Sequence, residues 1–97
     1  MPDSAPAVFV AYITVNALSS GIERRYVIDH PLFYGMTQDV EFPTVTYDSR
    51  YWHLTPEAAF AHARSMRAAA IFATEAQLKY LTQLVFELPK ETADGQL

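Results

Sequence analysis

The stretch YWHLTPEAAFAHARSMRAAAIFATEAQLKYLTQLVFEL, Tyr51 to Leu88, decides the fold because it combines a clear helix start with no later glycine or proline. Thr55 is suited to accept a hydrogen bond from the free backbone amides of a first helical turn. Pro56 fits the first helical position, and Glu57 lies in the favourable field of the helix N-terminus. The pattern therefore predicts a helix that begins directly after Thr55.

The length of this helix is indicated by a stripe of mainly apolar residues. The stripe advances in alternating steps of four and three and comprises Ala59, Ala63, Met66, Ala70, Ala73, Gln77, Leu81, Leu84 and Leu88. Thr74 and Gln77 have the spacing of a capping box, so a break near Thr74 is the alternative. Because the stripe keeps its phase there, we predict one helix over residues 56–88 and leave the break open.

Such a helix would be roughly 50 Å long, whereas a compact domain of this size is on the order of 30 Å across. Its overhanging part would expose an apolar arc, and exposed apolar surface is costly in water. We expect a second copy of the chain to cover this arc by helix packing; the alternative is a tilted helix that lies wholly across its own strands. The candidate interaction residues of the arc are Leu78, Leu81, Leu84, Val85 and Leu88.

The residues before the helix read as strands. AVFVAYITVNA, residues 7–17, is apolar on both alternating faces, which indicates a central strand. The turn LSSG and the segment IERRYVID, residues 22–29, complete an antiparallel hairpin. DVEFPTVTYDS, residues 39–49, is interpreted as a third strand, although Pro43 belongs at an edge or bulge. We predict an α+β fold: a small antiparallel sheet of about three strands with one long C-terminal α-helix packed on it.

The layout also carries a resemblance. A hairpin and a further strand, followed by LTPEAAFAHARSMRAAAI and a leucine-stepped continuation, resemble small uncharacterised bacterial proteins with a threonine-capped long helix. The similarity covers residues 51–88. It implies a small sheet closed by the helix and a bacterial source, and it brings no activity or catalytic residue with it.

Composition limits the class of protein. The 97 residues suit a single domain, and the ends, residues 1–6 and 89–97, have the polar, small-residue composition of flexible tails. A formal charge of −4 argues against a main role in neutralising phosphates. The N-terminus lacks the basic segment of a secretory signal, and no run of about 20 apolar residues is present, so we expect a cytoplasmic protein.

Residues with catalytic or metal-binding chemistry are sparse. The absence of cysteine excludes disulfides and thiolate ligands. His30, His53 and His62 lack the one-turn spacing that places two ligands on one helix face, so we predict neither a metal site nor a cofactor. We therefore expect a non-enzymatic module. The alternative is a small enzyme or ligand-binding protein with a pocket between the loop at residues 31–36 and the helix start, where His53 is the most plausible acid or base.

Two further surfaces are candidates for recognition. The segment PLFYGM, residues 31–36, contributes Phe33, Tyr34 and Met36, which would form either a lid on the core or an exposed protein-binding patch. ERRY, residues 23–26, offers arginine and tyrosine on a strand and suggests nucleic-acid binding as a third hypothesis. The simpler interpretation of ERRY is an exposed strand. The leading prediction is a protein–protein interaction or regulatory module that self-associates through its C-terminal helix.

Overall fold

A computed structural model describes residues 6–89, and over this range it contains five strands and one helix. The elements are β1 (Phe9–Ile13), β2 (Glu23–Asp29), β3 (Thr37–Asp39), β4 (Thr46–Tyr47), β5 (Trp52–His53) and α1 (Pro56–Gln83). The strands form a single antiparallel sheet in the order β4-β3-β2-β1-β5. The predicted α+β class and hairpin are thus confirmed, whereas the expected number of strands was too low.

The β1–β2 hairpin forms the interior of the sheet. Phe9 pairs with Val27, and Ile13 pairs with Glu23. The chain reverses between the strands because the carbonyl of Asn16 accepts hydrogen bonds from following backbone amides, including that of Gly21. Gly21 has a φ of 95°, which only glycine adopts without strain. β1 also pairs with β5, so it is an interior strand, as its two apolar faces predict.

The predicted third strand over residues 39–49 is wrong, because the chain turns back within it. The Oδ1 atom of Asp39 accepts hydrogen bonds from the backbone amides of Glu41 and Phe42 at 2.9 and 3.0 Å. The amide of Val45 then donates to the carbonyl of Phe42 at 2.8 Å. Aspartate side chains favour such local turns over continued strand pairing. The segment therefore yields the end of β3 and the short β4, with Pro43 in the turn between them.

The apolar core lies on one face of this sheet. Ala11, Ile13, Val27 and Tyr47 are buried there, with Phe9 and Trp52 packed against them. The helix meets the opposite face, where Tyr12 and Arg24 line a groove with Pro56. Its main contacts are with β5 and β1. The helix is therefore attached to the sheet near its N-terminus only.

The start of α1 agrees with the sequence-based prediction, and its end does not. Thr55 caps the helix, because its side chain accepts a hydrogen bond from the backbone amide of Ala58 at 3.1 Å. The helix continues through Thr74 without a break but ends at Gln83, since Leu84 is extended with a ψ of 129°. A β-branched residue at position 85 and the proline at position 89 both disfavour further helix. The prediction of helix as far as residue 88 is wrong by its last turn.

The molecule is elongated because the helix is attached to the sheet at one end only. Its Cα radius of gyration is 23.1 Å, whereas a compact chain of about 100 residues has roughly 13 Å. The alternative of a helix lying wholly across its own strands is not the arrangement in the structure. Of the predicted tails, residues 1–5 and 90–97 lie outside the described range. Within residues 6–89, no helix is sufficiently long and apolar to cross a membrane.

Candidate functional site

The distal part of α1 carries a mainly apolar line that residues 6–89 leave largely uncovered. We call Ile71, Thr74, Leu78 and Leu81 the helix seam, because steps of three, four and three place them on one side of the helix. Ile71 is 51% exposed, Leu78 is 63% exposed and Leu81 is 53% exposed. All residues from Arg67 to Pro89 are classed as exposed. The seam is therefore a surface that the described part of the chain does not bury.

The residues of the predicted arc lie partly on the helix and partly beyond its end. Leu78 and Leu81 lie on α1, whereas Leu84, Val85 and Leu88 lie at or after its end. These last three are also exposed. The arc is thus a helical part followed by a non-helical apolar segment, rather than one continuous helix face.

The seam is approached by the sheet domain only at its beginning. Leu18, in the turn between β1 and β2, lines a shallow groove with Arg67, Ala70 and Ile71. The groove also includes Thr74, the second residue of the seam, whereas Leu78 and Leu81 do not line it. The distal helix therefore projects beyond the sheet.

The aromatic loop is ordered by polar contacts while its side chains remain exposed. The Nδ1 atom of His30 accepts hydrogen bonds from the amides of Leu32 and Phe33, and the indole N–H of Trp52 donates to the carbonyl of Gly35 at 2.9 Å. Phe33 is 57% exposed and Tyr34 is completely exposed, whereas Met36 is half-buried. These two aromatic rings do not form a lid over the core.

The loop is also separate from the helix start. The cavity beside it is lined by loop residues, Asp29 and Trp52, without a contribution from α1. A different groove, which contains Pro56 and Phe60, lies at the helix start. The predicted residues Phe33, Tyr34 and Met36 therefore do not share a cavity with the helix.

A second candidate site joins the base of α1 to the sheet. Thr14 follows β1, His53 belongs to β5 and His62 lies on α1. The Oγ1 atom of Thr14 is 3.2 Å from Nε2 of His53 and 2.8 Å from Nδ1 of His62. The two imidazole nitrogens are 3.3 Å apart. We call these three residues the Thr14 cluster.

The environment of the Thr14 cluster is partly shielded from water. Thr14 is completely buried, and the two histidines are half-buried. The ring of Tyr51 lies 5.7 Å from that of His62. Burial, with a smaller contribution from the neighbouring His62, lowers the pKa of His53 and so favours its neutral form. Because the Thr14 hydroxyl is inaccessible, it can position the imidazoles but is poorly placed to attack a substrate.

A third polar cluster surrounds the buried carboxylate of Asp39. The guanidinium of Arg25 donates to both carboxylate oxygens, at 2.7 and 3.0 Å, and the hydroxyl of Tyr47 donates at 2.7 Å. The Arg25 guanidinium holds the pKa of Asp39 well below its usual range. Burial and Asp39 together raise the pKa of Tyr47 to about 12. Every polar contact of this cluster serves the fold, so we interpret it as structural.

The same contacts bear on the nucleic-acid hypothesis. Arg25 is committed to Asp39 and Glu41, while Arg24 lies over the ring of Tyr26 at 5.2 Å. Only Arg24 and Tyr26 remain on an exposed strand face. One arginine beside one tyrosine is a small positive surface for a chain with a formal charge of −4.

No protein-family model matches the chain, and no curated protein or solved structure matches it either. Function must therefore be inferred from the residues and their geometry. Among residues 6–89, no group of three or more His, Asp or Glu side chains is arranged to share a metal ion. Within the described residues, the helix seam and the rings of Phe33 and Tyr34 are uncovered apolar surfaces, and the Thr14 cluster is a partly buried polar site at the helix base.

Proposed function

We propose that the protein is a non-enzymatic interaction module that self-associates through the helix seam, with a second copy of the chain as its partner. The observation that carries the proposal is the exposure of α1. The helix has 28 residues, all within the described range, and of these only Ala59 is buried. A helix in a globular domain ordinarily buries one full stripe against its own core.

The seam would gain free energy from a partner. Burying a large aliphatic side chain completely is worth about 1.5–3 kcal/mol, and the seam side chains are about half exposed. Completing the burial of each side chain would therefore contribute about 1 kcal/mol. In a symmetric dimer each residue makes this contribution in both copies. Because association costs at least about 4 kcal/mol, the three aliphatic seam residues alone leave only about 2 kcal/mol. A dimer that forms at micromolar concentrations must therefore also bury neighbouring exposed apolar residues such as Leu84 and Val85.

A second copy suits the chemistry of the seam. The line contains aliphatic residues and one threonine, so it presents no charge that would need an opposite charge on a different partner. Its three-and-four spacing is the pattern by which two helices interlock their side chains. Two identical surfaces of this kind are self-complementary about a two-fold axis.

The residues preceding the seam favour an antiparallel pair. Arg64 and Arg67 continue the same line toward the helix start. In a parallel pair each arginine would face its own copy, and like charges at such positions are unfavourable. In an antiparallel pair centred near Ala76 each arginine would instead lie near the C-terminal end of the other copy's helix, whose last turn carries no basic residue.

The test replaces two seam residues by glutamate. Leu78→Glu with Leu81→Glu places two charges on the seam, and sedimentation velocity from about 5 to 500 µM measures the oligomeric state. We expect the wild-type protein to dimerise in this range and the variant to remain monomeric, because charges at an apolar contact are strongly disfavoured. Circular dichroism checks that the variant stays folded.

The matched control carries the same charges on the opposite side of the helix. Ala69→Glu with Ala76→Glu changes two exposed residues about 160° away from the seam. This variant should dimerise as the wild-type protein does. A wild-type protein that remains monomeric at 500 µM would contradict the proposal, and so would equal dissociation of both variants.

A further inference from the structure

The Thr14 cluster brings together three atoms that carry lone pairs: the hydroxyl oxygen of Thr14 and one ring nitrogen of each histidine. The hydroxyl of Thr14 can donate to Nδ1 of His62 and accept from Nε2–H of His53. These two bonds use the hydroxyl proton of Thr14 and the Nε2 proton of His53. In this tautomer the two ring nitrogens are 3.3 Å apart with no proton directly between them. In another, Nε2–H of His53 donates to Nδ1 of His62 and the Thr14 hydroxyl donates to the carbonyl of Tyr51 at 3.4 Å.

The spacing of the two nitrogens suits a different kind of bond, whereas the 2.8 Å contact between Thr14 and His62 is shorter than that bond requires. Ligand atoms of a tetrahedral zinc site, at 2.0–2.1 Å from the metal, are roughly 3.3–3.4 Å apart. The nitrogen–nitrogen distance is 3.3 Å, and the oxygen–nitrogen distances are 3.2 and 2.8 Å. An ion placed about 1 Å above the plane of this triangle would lie at bonding distance from all three atoms.

We propose that His53, through Nε2, and His62, through Nδ1, bind one divalent transition-metal ion of the zinc type, with Thr14 as a weak third ligand. Neutral imidazole nitrogens suit zinc, nickel and copper, whereas magnesium and calcium require oxygen ligands. The half-buried histidines leave a path for the ion and a position for water. With two strong ligands, binding is micromolar rather than nanomolar.

The ion would act at the joint between the sheet and the helix. Its ligands come from β5, from α1 and from the residue after β1, which are the elements that meet at the helix base. Bound metal would fix the direction in which α1 projects. Because a ligand that binds the folded state alone stabilises it, zinc should also raise the Tm of the wild-type protein.

The experiment titrates metal-free protein with Zn²⁺ at pH 7.5 by calorimetry, with Mg²⁺ as the negative control. We expect one Zn²⁺ per chain, and at least tenfold weaker binding in His53→Gln and in His62→Gln. His30→Gln is the matched control, because it removes the remaining imidazole, which lies in the loop at residues 30–36. That variant should bind Zn²⁺ as the wild-type protein does.

A second measurement avoids variants altogether. In nitrogen-detected NMR of the wild-type protein, Zn²⁺ should shift the ring signals of His53 and His62, with the metal on Nε2 of the former and Nδ1 of the latter, and leave His30 unchanged. Absence of binding up to 1 mM Zn²⁺ would overturn the proposal. Loss of binding in His30→Gln, or unaltered binding in His62→Gln, would do so too.

Discussion

Replacing Asp39 should remove a large part of the stability of the fold. This carboxylate is 1% exposed and accepts five hydrogen bonds, from the guanidinium of Arg25, the hydroxyl of Tyr47 and the amides of Glu41 and Phe42. Asp39→Ala would leave these donors without an acceptor. Breaking a buried ion pair by removing one partner costs about 3–5 kcal/mol. A domain of this size has about 5–15 kcal/mol in total, so we expect the variant to be partly unfolded at 25 °C.

The assay is urea denaturation followed by circular dichroism, with a control that removes a neighbouring contact to the same arginine. Glu41 is 3.0 Å from Arg25 but is 68% exposed. Glu41→Ala should therefore lower the free energy of unfolding by less than about 1 kcal/mol. If Asp39→Ala cost no more than Glu41→Ala, the buried cluster would contribute little, and its interpretation as the main polar support of the sheet would be refuted.

The same cluster sets the dependence of stability on pH. Because Arg25 holds the pKa of Asp39 below its usual range, the unfolded state binds more protons as the pH falls below about 4. The stability that Asp39 contributes is thus fully present above about pH 5. It is lost on acidification, by at most about 1.4 kcal/mol per pH unit. Tyr47, with its pKa raised to about 12, contributes stability that is present below pH 10 and lost as the pH rises through 12. Asp39→Asn should reduce the dependence of the free energy of unfolding on pH below about 5. An unchanged dependence would mean that other carboxylates cause the loss of stability in acid.

Two further outcomes are expected. Thr55→Ala should lower the free energy of unfolding by about 1 kcal/mol, because the amide of Ala58 loses its acceptor. Ser65→Ala, at an exposed position within the helix and outside the seam, should not lower it; equal losses would mean that another group caps the helix. A spin label at Ala61→Cys, in a chain without other cysteines, should report roughly 45 Å between copies in the antiparallel dimer. A distance below about 20 Å would indicate a parallel pair instead.

The helix start was predictable because it depends on neighbours in the chain. Thr55, Pro56 and Glu57 each act on the first turn, so no tertiary information is needed. The helix end depends on weaker signals. An apolar stripe continues to Leu88, yet the helix ends at Gln83, because no packing stabilises a further turn and Pro89 follows closely.

The sheet was predictable where strands are long and regular. The β1–β2 hairpin follows from alternation and a turn, whereas β4 and β5 contain only two residues each and leave no periodic pattern. The prediction of a third strand beginning at Asp39 is wrong because Asp39 ends β3, and its side chain accepts the amides of the turn that follows. An aspartate can accept hydrogen bonds from the backbone amides two and three residues later, so an aspartate at this position is a sequence signal for a turn.

The Thr14 cluster was not predictable from spacing. His53 and His62 are nine residues apart, and Thr14 is 39 and 48 residues from them. Spacing rules for paired histidines assume that both lie on one helix, whereas here one comes from a two-residue strand. The only available hint was that His53 and His62 flank the capped start of the helix, where the chain passes from sheet to helix.

In α1, the residues that stabilise the helix differ from those that form its exposed apolar surface. The middle of the helix contains Ala68, Ala69 and Ala70, and alanine has the highest intrinsic preference for helix, so the projecting part can persist without cover. Alanine or lysine at Leu78 and Leu81 would serve helix formation equally well and would avoid exposing apolar surface. The aliphatic residues at these positions therefore impose a cost that nothing within the described chain offsets. A second helix packed on the seam would offset it, and that reasoning favours a surface for association over a merely extended helix.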